Sequence, residues 1–257
     1  MGSTGKDLNP SEFIDKPRRI GGDQVSDSIN VETVDLITTI TINRPEKRNA
    51  LNREMRVFVK NEIARLNQSD LTKVIILTGT DPAFSAGVDF SELADPNTDF
   101  NEIGPLSRPF FSSDIPVIGA VNGAAYTGGL ELALTCTLLI ASEKAIFADT
   151  HAKMGMMPGW GLSVHLPIAV GPARAHQMMT SGQPISASQA HEWGLVNEVV
   201  SHDQLMKRAR EVATAISQQD IAVIRKIGAL FNQKRFERDA KAWLNEQAAF
   251  IKIEPSK

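Results

Sequence analysis

Two short loops in this 257-residue chain consist mostly of side chains too small to cover their own backbone. One reads Pro82-Ala83-Phe84-Ser85-Ala86-Gly87-Val88-Asp89 and follows the β-branched run Val74–Thr78. The other reads Asn122-Gly123-Ala124-Ala125-Tyr126-Thr127-Gly128-Gly129-Leu130-Glu131 and follows Val117–Val121. With so little side chain in the way, a ligand can come close to the main-chain N–H groups. The second loop also opens a helix, so its free amides point outward with the positive end of the helix dipole behind them. Amides placed in this way suit an oxyanion. The competing reading is that the glycines only let a helix pack tightly on a strand. Glu131 favours the first. It is the sole charge between Asp114 and Glu143, among Leu130, Leu132, Ala133 and Leu134. Desolvation of a carboxylate raises its pKa toward the range of a general base.

Other chemistries find no support. The histidines at 151, 165, 176, 191 and 202 form no His-Glu-x-x-His pattern, and Cys136 stands alone, so neither a zinc site nor an internal disulfide is predicted. The glycines at 123–129 lack the Lys-Ser/Thr of a phosphate loop and the spacing of a dinucleotide fingerprint. No Gly-x-Ser-x-Gly elbow occurs. A net charge of −3 supplies no basic field for nucleic acid. The apolar stretch from Pro116 to Ala141 is long enough to span a bilayer, but it carries Glu131, which would cost roughly 2.5–3.5 kcal/mol at mid-depth. It reads as buried soluble structure. No apolar leader precedes residue 30, and a soluble, cytoplasmic protein without membrane contact is expected.

These loops need a scaffold. Strands are predicted at Val34–Ile42, Val74–Thr78, Val117–Val121, Leu138–Ala141 and Val196–Val200 from their β-branched content. Helices are predicted between them, at Leu51–Leu66 (capped by Asn49 or Asn52), Gly129–Cys136, Leu162–Val170, Pro172–Thr180, Ala187–Trp193 and Asp203–Ser217. This order gives an α/β class with buried strands. Two further helices, Asp220–Phe231 and Arg235–Ile251, bear apolar stripes that must be buried on the core or on another subunit.

Several motifs in order make the chain resemble the crotonase, or enoyl-CoA hydratase/isomerase, family. They are Asn43-Arg44-Pro45-Glu46-Lys47-Arg48-Asn49-Ala50-Leu51, Phe84–Asp89, Ala120–Gly123 with Gly128–Leu132, Gly155 with Pro158–Gly161, and Ala187–Val200. The resemblance implies a spiral of ββα units with a helical C-terminal trimerisation region, and coenzyme A thioester substrates. It divides the chain into a flexible arm (1–28), a core with the CoA and acyl site (29–200) and an oligomerisation region (201–257), assembled as a homotrimer or dimer of trimers. By motif position, the Ala86 and Gly128 amides would hold the thioester oxygen. Coenzyme A would pass Lys47, Arg48 and Ala50, with Gly87, Val88 and Asp89 supporting its adenine end and Gly129 in the adjoining loop.

Hydratases of the family use two glutamates on the water that adds to the double bond. The first matches Glu131, whereas the second falls on His151, a ring that can also exchange a proton near neutral pH. A second departure is Thr137, where the family commonly has aspartate. The implied reaction is hydration of a 2-enoyl-CoA without metal or redox cofactor. Isomerisation, retro-Claisen cleavage, thioester hydrolysis and non-catalytic acyl-CoA binding stay open. The segment Ser91–Ser113, with Phe100, Phe110 and Phe111, is expected to wall the acyl pocket. Met154, Met156, Met157 and Trp160 either narrow that pocket or fill core gaps.

Overall fold

The computed structural model of the protein describes residues 28–93 and 105–252. The N-terminal arm up to residue 27 and Phe100 lie outside them. The first strand region is a hairpin rather than the single strand predicted at Val34–Ile42: β1 (Ile29–Val34) pairs antiparallel with β2 (Ile37–Ile42). Asp35 and Leu36 turn the chain with φ of 52° and 65°, the left-handed pair that a two-residue turn matched to strand twist requires. Helix α1 (Arg53–Asn67) starts at Asn52, whose side chain accepts the Met55 N–H at 2.9 Å, and buries Met55, Val59, Ile63 and Leu66 on one stripe. Asn49 is no cap. It is buried and tied to Arg44 and to the carbonyls of Thr80 and Ala83.

From here the chain winds in repeated units whose first strand joins one sheet and second strand another. Strands β3 (Val74–Gly79), β5 (Val117–Val121), β7 (Leu138–Ser142) and β10 (Glu198–Val200) extend the hairpin into a six-stranded sheet ordered β1-β2-β3-β5-β7-β10. From β2 onward its neighbours run parallel, with β3 and β5 buried throughout. Short strands β4 (Ala83–Ser85), β6 (Ala124–Tyr126), β8 (Ile146–Ala148) and β9 (Ile185–Ser186) make a second sheet in that order. The two small-residue loops thus contain strands of their own, and β4 pairs parallel with β6. Thr137 has a place in this scheme: its hydroxyl accepts the Val117 N–H at 3.0 Å and its N–H donates to the Val117 carbonyl at 2.7 Å, fixing the start of β5.

The connecting helices are α2 (Phe90–Leu93), α3 (Ser107–Phe111), α4 (Gly128–Thr135), α5 (Leu162–Val170), α6 (Pro172–Ser181) and α7 (Ala187–Glu192). Helix α8 (Leu205–Ser217) buries Leu205, Ala209 and Ala213 against Ile37, Val74, Ile76, Ile118 and Ile140 on the six-stranded sheet. The region drawn from residue 201 therefore begins with a helix of the core. The last two predicted helices are one, α9 (Ile221–Lys252), since neither Pro nor Gly interrupts residues 229–252. No helix among the described residues is long and apolar enough to cross a membrane.

Candidate active site

The second strands and the loops beyond them enclose a cavity of about 610 Å³. Parallel pairing of β4 with β6 brings the two small-residue loops side by side. The approach is close enough that a Cβ on Gly129 would lie 1.9 Å from the Ser85 carbonyl oxygen, so only glycine fits there. Beyond β4 the chain turns at Gly87, with φ of +93°, a conformation L-residues resist.

This turn decides which amide of the loop faces the cavity. The Ala86 N–H, predicted to hold the thioester oxygen, donates to the Arg48 carbonyl at 3.0 Å and is spent on the fold. The next residue but one faces the cavity instead. The Val88 nitrogen lies 3.3 Å from where a Cβ on Gly128 would stand. Neither the Val88 nor the Gly128 N–H has a hydrogen-bond acceptor among the described residues. Gly128 is the first residue of α4, so its amide carries the helix's positive end. It is aimed by Thr127, held at φ 55° and ψ −114°, a strained conformation that costs on the order of 1–3 kcal/mol. The Thr127 N–H bond to the Ala148 carbonyl at 2.9 Å and its hydroxyl contact with Thr150 keep it there.

Glu131 stands one turn along α4, 3% exposed and lining the cavity. Its Oε1 accepts the N–H groups of Trp160 at 2.7 Å and Leu162 at 3.3 Å. Desolvation is the largest influence on this carboxyl. Together with the nearby charge of Glu246 it outweighs His151 and the two amide bonds, raising the pKa to about 7. Glu131 Oε2 is 3.9 Å from His151 Nε2. The other side of the ring donates through Nδ1 to Asp149 Oδ1 at 2.7 Å, which also accepts the His151 N–H at 3.0 Å. An anionic acceptor at Nδ1 leaves Nε2 facing Glu131. Burial lowers the basicity of His151, but the Asp149 bond and the charges of Glu131, Asp149 and Glu246 outweigh it, and its pKa is raised.

The remaining candidates divide. Lys47, Ala50, Met154 and Trp160 line the cavity, Lys47 from an exposed position. Asp89 also lines it, yet its carboxylate is held by Arg44 and Ser91. Burial opposes its charge, but these bonds prevail and bring it to about 2. Arg48, Gly87 and Gly129 line no part of the cavity. Their backbones build it, Arg48 and Gly87 through carbonyls that accept Ala86 and Leu51 N–H groups. In the segment expected to wall the pocket, Ser91 and Pro105 do so, joined by Phe90 just before it. Phe110 is in the core, and Phe111 packs on His165 and Trp243. Sequence reading missed Asp149 as the group orienting His151, and missed Gln247 of α9, which lines the cavity and donates to the Gly159 carbonyl at 3.2 Å. The Asp-x-His spacing was a visible signal for the first. Nothing local signalled the second.

A family model described as enoyl-CoA hydratase/isomerase matches residues 32–255. A probable peroxisomal enoyl-CoA hydratase of Arabidopsis thaliana is 36% identical over 205 residues, 76% of this chain and 75% of that protein. A probable enoyl-CoA hydratase of Mycobacterium leprae is 35% identical over 231 residues, covering 87% and 88%. The crystal structure of a Mycobacterium avium enoyl-CoA hydratase superposes with a TM-score of 0.81 at 41% identity, covering 88% of this chain and 96% of that one.

Proposed function

Since the chain belongs to the enoyl-CoA hydratase/isomerase family, we propose that it adds water across the C2–C3 double bond of a 2-enoyl-CoA. One observation carries this reading: the amides of Val88 and Gly128, which have no acceptor among the described residues, share a cavity with the buried Glu131–His151 pair. The thioester oxygen would sit between the amides. A water oxygen about 2.8 Å from both Glu131 Oε2 and His151 Nε2 closes a triangle on their 3.9 Å separation.

Glu131, poised near pH 7, takes a proton from this water as its oxygen bonds to C3. The π electrons move to C2 and on to the thioester oxygen. The resulting enolate gains ~3–4 kcal/mol from each well-aimed amide. Collapse of the enolate, with a proton delivered to C2 from the Glu131–His151 pair, gives the 3-hydroxyacyl-CoA and restores both groups. Asp149 keeps the His151 ring facing the water.

No metal or redox group is called for, since coenzyme A arrives on the substrate. The cytoplasm suits such a protein. A homotrimer or dimer of trimers is the proposed assembly, supported by the exposed Val223, Ile227, Leu230 and Phe231 on α9, an apolar stripe that the other described residues leave uncovered. Incubation with crotonyl-CoA is expected to bleach the enoyl-thioester absorbance with formation of 3-hydroxybutyryl-CoA. A rate at background across short and medium chain lengths would defeat the hydratase reading, and product analysis separates hydration from double-bond migration and thioester hydrolysis.

A further inference from the structure

We propose that Glu246, on the C-terminal helix α9, is a positioning residue for Glu131, acting through the loop that both side chains grip. The inference rests on the catalytic role assigned to Glu131 above. Four consecutive N–H groups lead into α5, and the two carboxylates take them alternately. Glu131 Oε1 accepts from Trp160 and Leu162, while Glu246 accepts from Gly161 at 2.7 Å through Oε1 and from Ser163 at 2.8 Å through Oε2. The Ser163 hydroxyl adds a further bond to Glu246 Oε2. Gln247, the next residue of α9, holds the Gly159 carbonyl.

Glu131 comes from α4 and Glu246 from α9, so the four amides are shared between two helices. The loop is therefore clamped between α4 and α9, and its position sets that of the Glu131 carboxyl. Glu246 is 4% exposed, a costly location for an acid unless it is bonded this completely.

The arrangement also has an electrostatic consequence. Glu131 is faced by His151, with Asp149 behind it, and by Glu246. The elements packed on α4 add Arg108 on α3, His165 on α5 and Tyr126 on β6. Among these, Glu246 is the neighbouring anion that helps to hold Glu131 protonated.

The test is Glu246→Gln in the full-length protein. The amide keeps one acceptor but turns its NH2 toward an N–H or hydroxyl donor. We expect kcat on crotonyl-CoA to fall about tenfold, in line with the loss that a sub-ångström misplacement brings, with KM changed less than about twofold. The acidic limb of the kcat/KM profile should move to lower pH, because an anion beside Glu131 has been removed. Glu246→Asp retains the charge but not the reach, so it should lose kcat with the limb in place. An unchanged kcat and limb in folded Glu246→Gln protein would overturn the proposal, as would a loss of activity that only tracks loss of folded protein.

Should Glu246→Gln fail to fold, Ser163→Ala removes a single bond. It should lower kcat about two- to threefold at constant KM, and wild-type kcat would count against the proposal. A wild type inactive on every enoyl-CoA would instead defeat the hydratase reading. Titration of the Glu131 carboxyl carbon by ¹³C NMR, assigned with Glu131→Gln, then still decides the matter for Glu246. A lower midpoint in Glu246→Gln supports the contact, and an unmoved midpoint refutes it.

Discussion

Glu131→Gln is expected to lower kcat on crotonyl-CoA by about 10²–10⁴-fold, the range for loss of general acid–base catalysis, and at the same time to make the protein more stable at pH 8. The substitution is isosteric. Its amide oxygen still accepts the Trp160 and Leu162 N–H groups, while its NH2 faces His151 Nε2. The sign of the stability change follows from linkage. The folded pKa is raised to about 7 from the ordinary carboxyl value of 4.5. Between these values the folded state keeps a proton that the unfolded chain releases, so stability falls as pH rises through the window, and above about 7 the full penalty applies.

That penalty is on the order of 3 kcal/mol, and glutamine escapes it. Denaturant unfolding of both proteins at pH 5 and pH 8 measures the difference, which should grow with pH. The same titration predicts that wild-type kcat/KM falls on the acid side of about pH 7, where Glu131 no longer accepts a proton. Turnover within tenfold of wild type, or a stability difference independent of pH, would remove Glu131 from the role assigned to it.

Gly128→Ala should cost about 10²–10³-fold in kcat, comparable with loss of one oxyanion donor, with little change in melting temperature. Its methyl would stand 3.1 Å from Gly87 Cα and Trp160 Cζ3 and 3.3 Å from the Val88 nitrogen. These contacts are tight but tolerable, and the methyl fills the space where the thioester oxygen must sit. Gly129→Ala is the contrasting control. Its Cβ would meet the Ser85 carbonyl at 1.9 Å, backbone against backbone, and that variant should fail to fold. Steady-state kinetics and thermal melts of the two variants separate obstruction of the site from collapse of the scaffold. A Gly128→Ala enzyme within threefold of wild type would place the substrate oxygen elsewhere.

Local chemistry made part of this molecule readable in advance. The buried strands β3, β5 and β7 announce themselves by short, mostly apolar runs, and α1 by its stripe and cap. The short strands β4, β6, β8 and β9 do not. Two or three residues carry no periodicity, and their pairing is imposed by the larger sheet. Val34–Ile42 read as one strand because Asp35-Leu36 lacks the glycine that usually marks so tight a turn.

At the site, the loops and the desolvated Glu131 were legible because small side chains and a lone charge are features of composition. Which amide faces the cavity was not. It depends on the turn at Gly87, which commits Ala86 to Arg48 and presents Val88, a shift of two residues that the motif alone cannot resolve. Glu246 was invisible for a different reason: its partnership with the α5 loop exists only once α9 has folded across it.

The most direct measurement is a crystal structure with a saturated acyl-CoA bound. The thioester oxygen is expected about 2.7–3.1 Å from both the Val88 and Gly128 nitrogens, and C3 beside the space shared by Glu131 Oε2 and His151 Nε2. An oxygen bonded to neither amide, or an acyl chain directed away from Glu131, would contradict this mechanism.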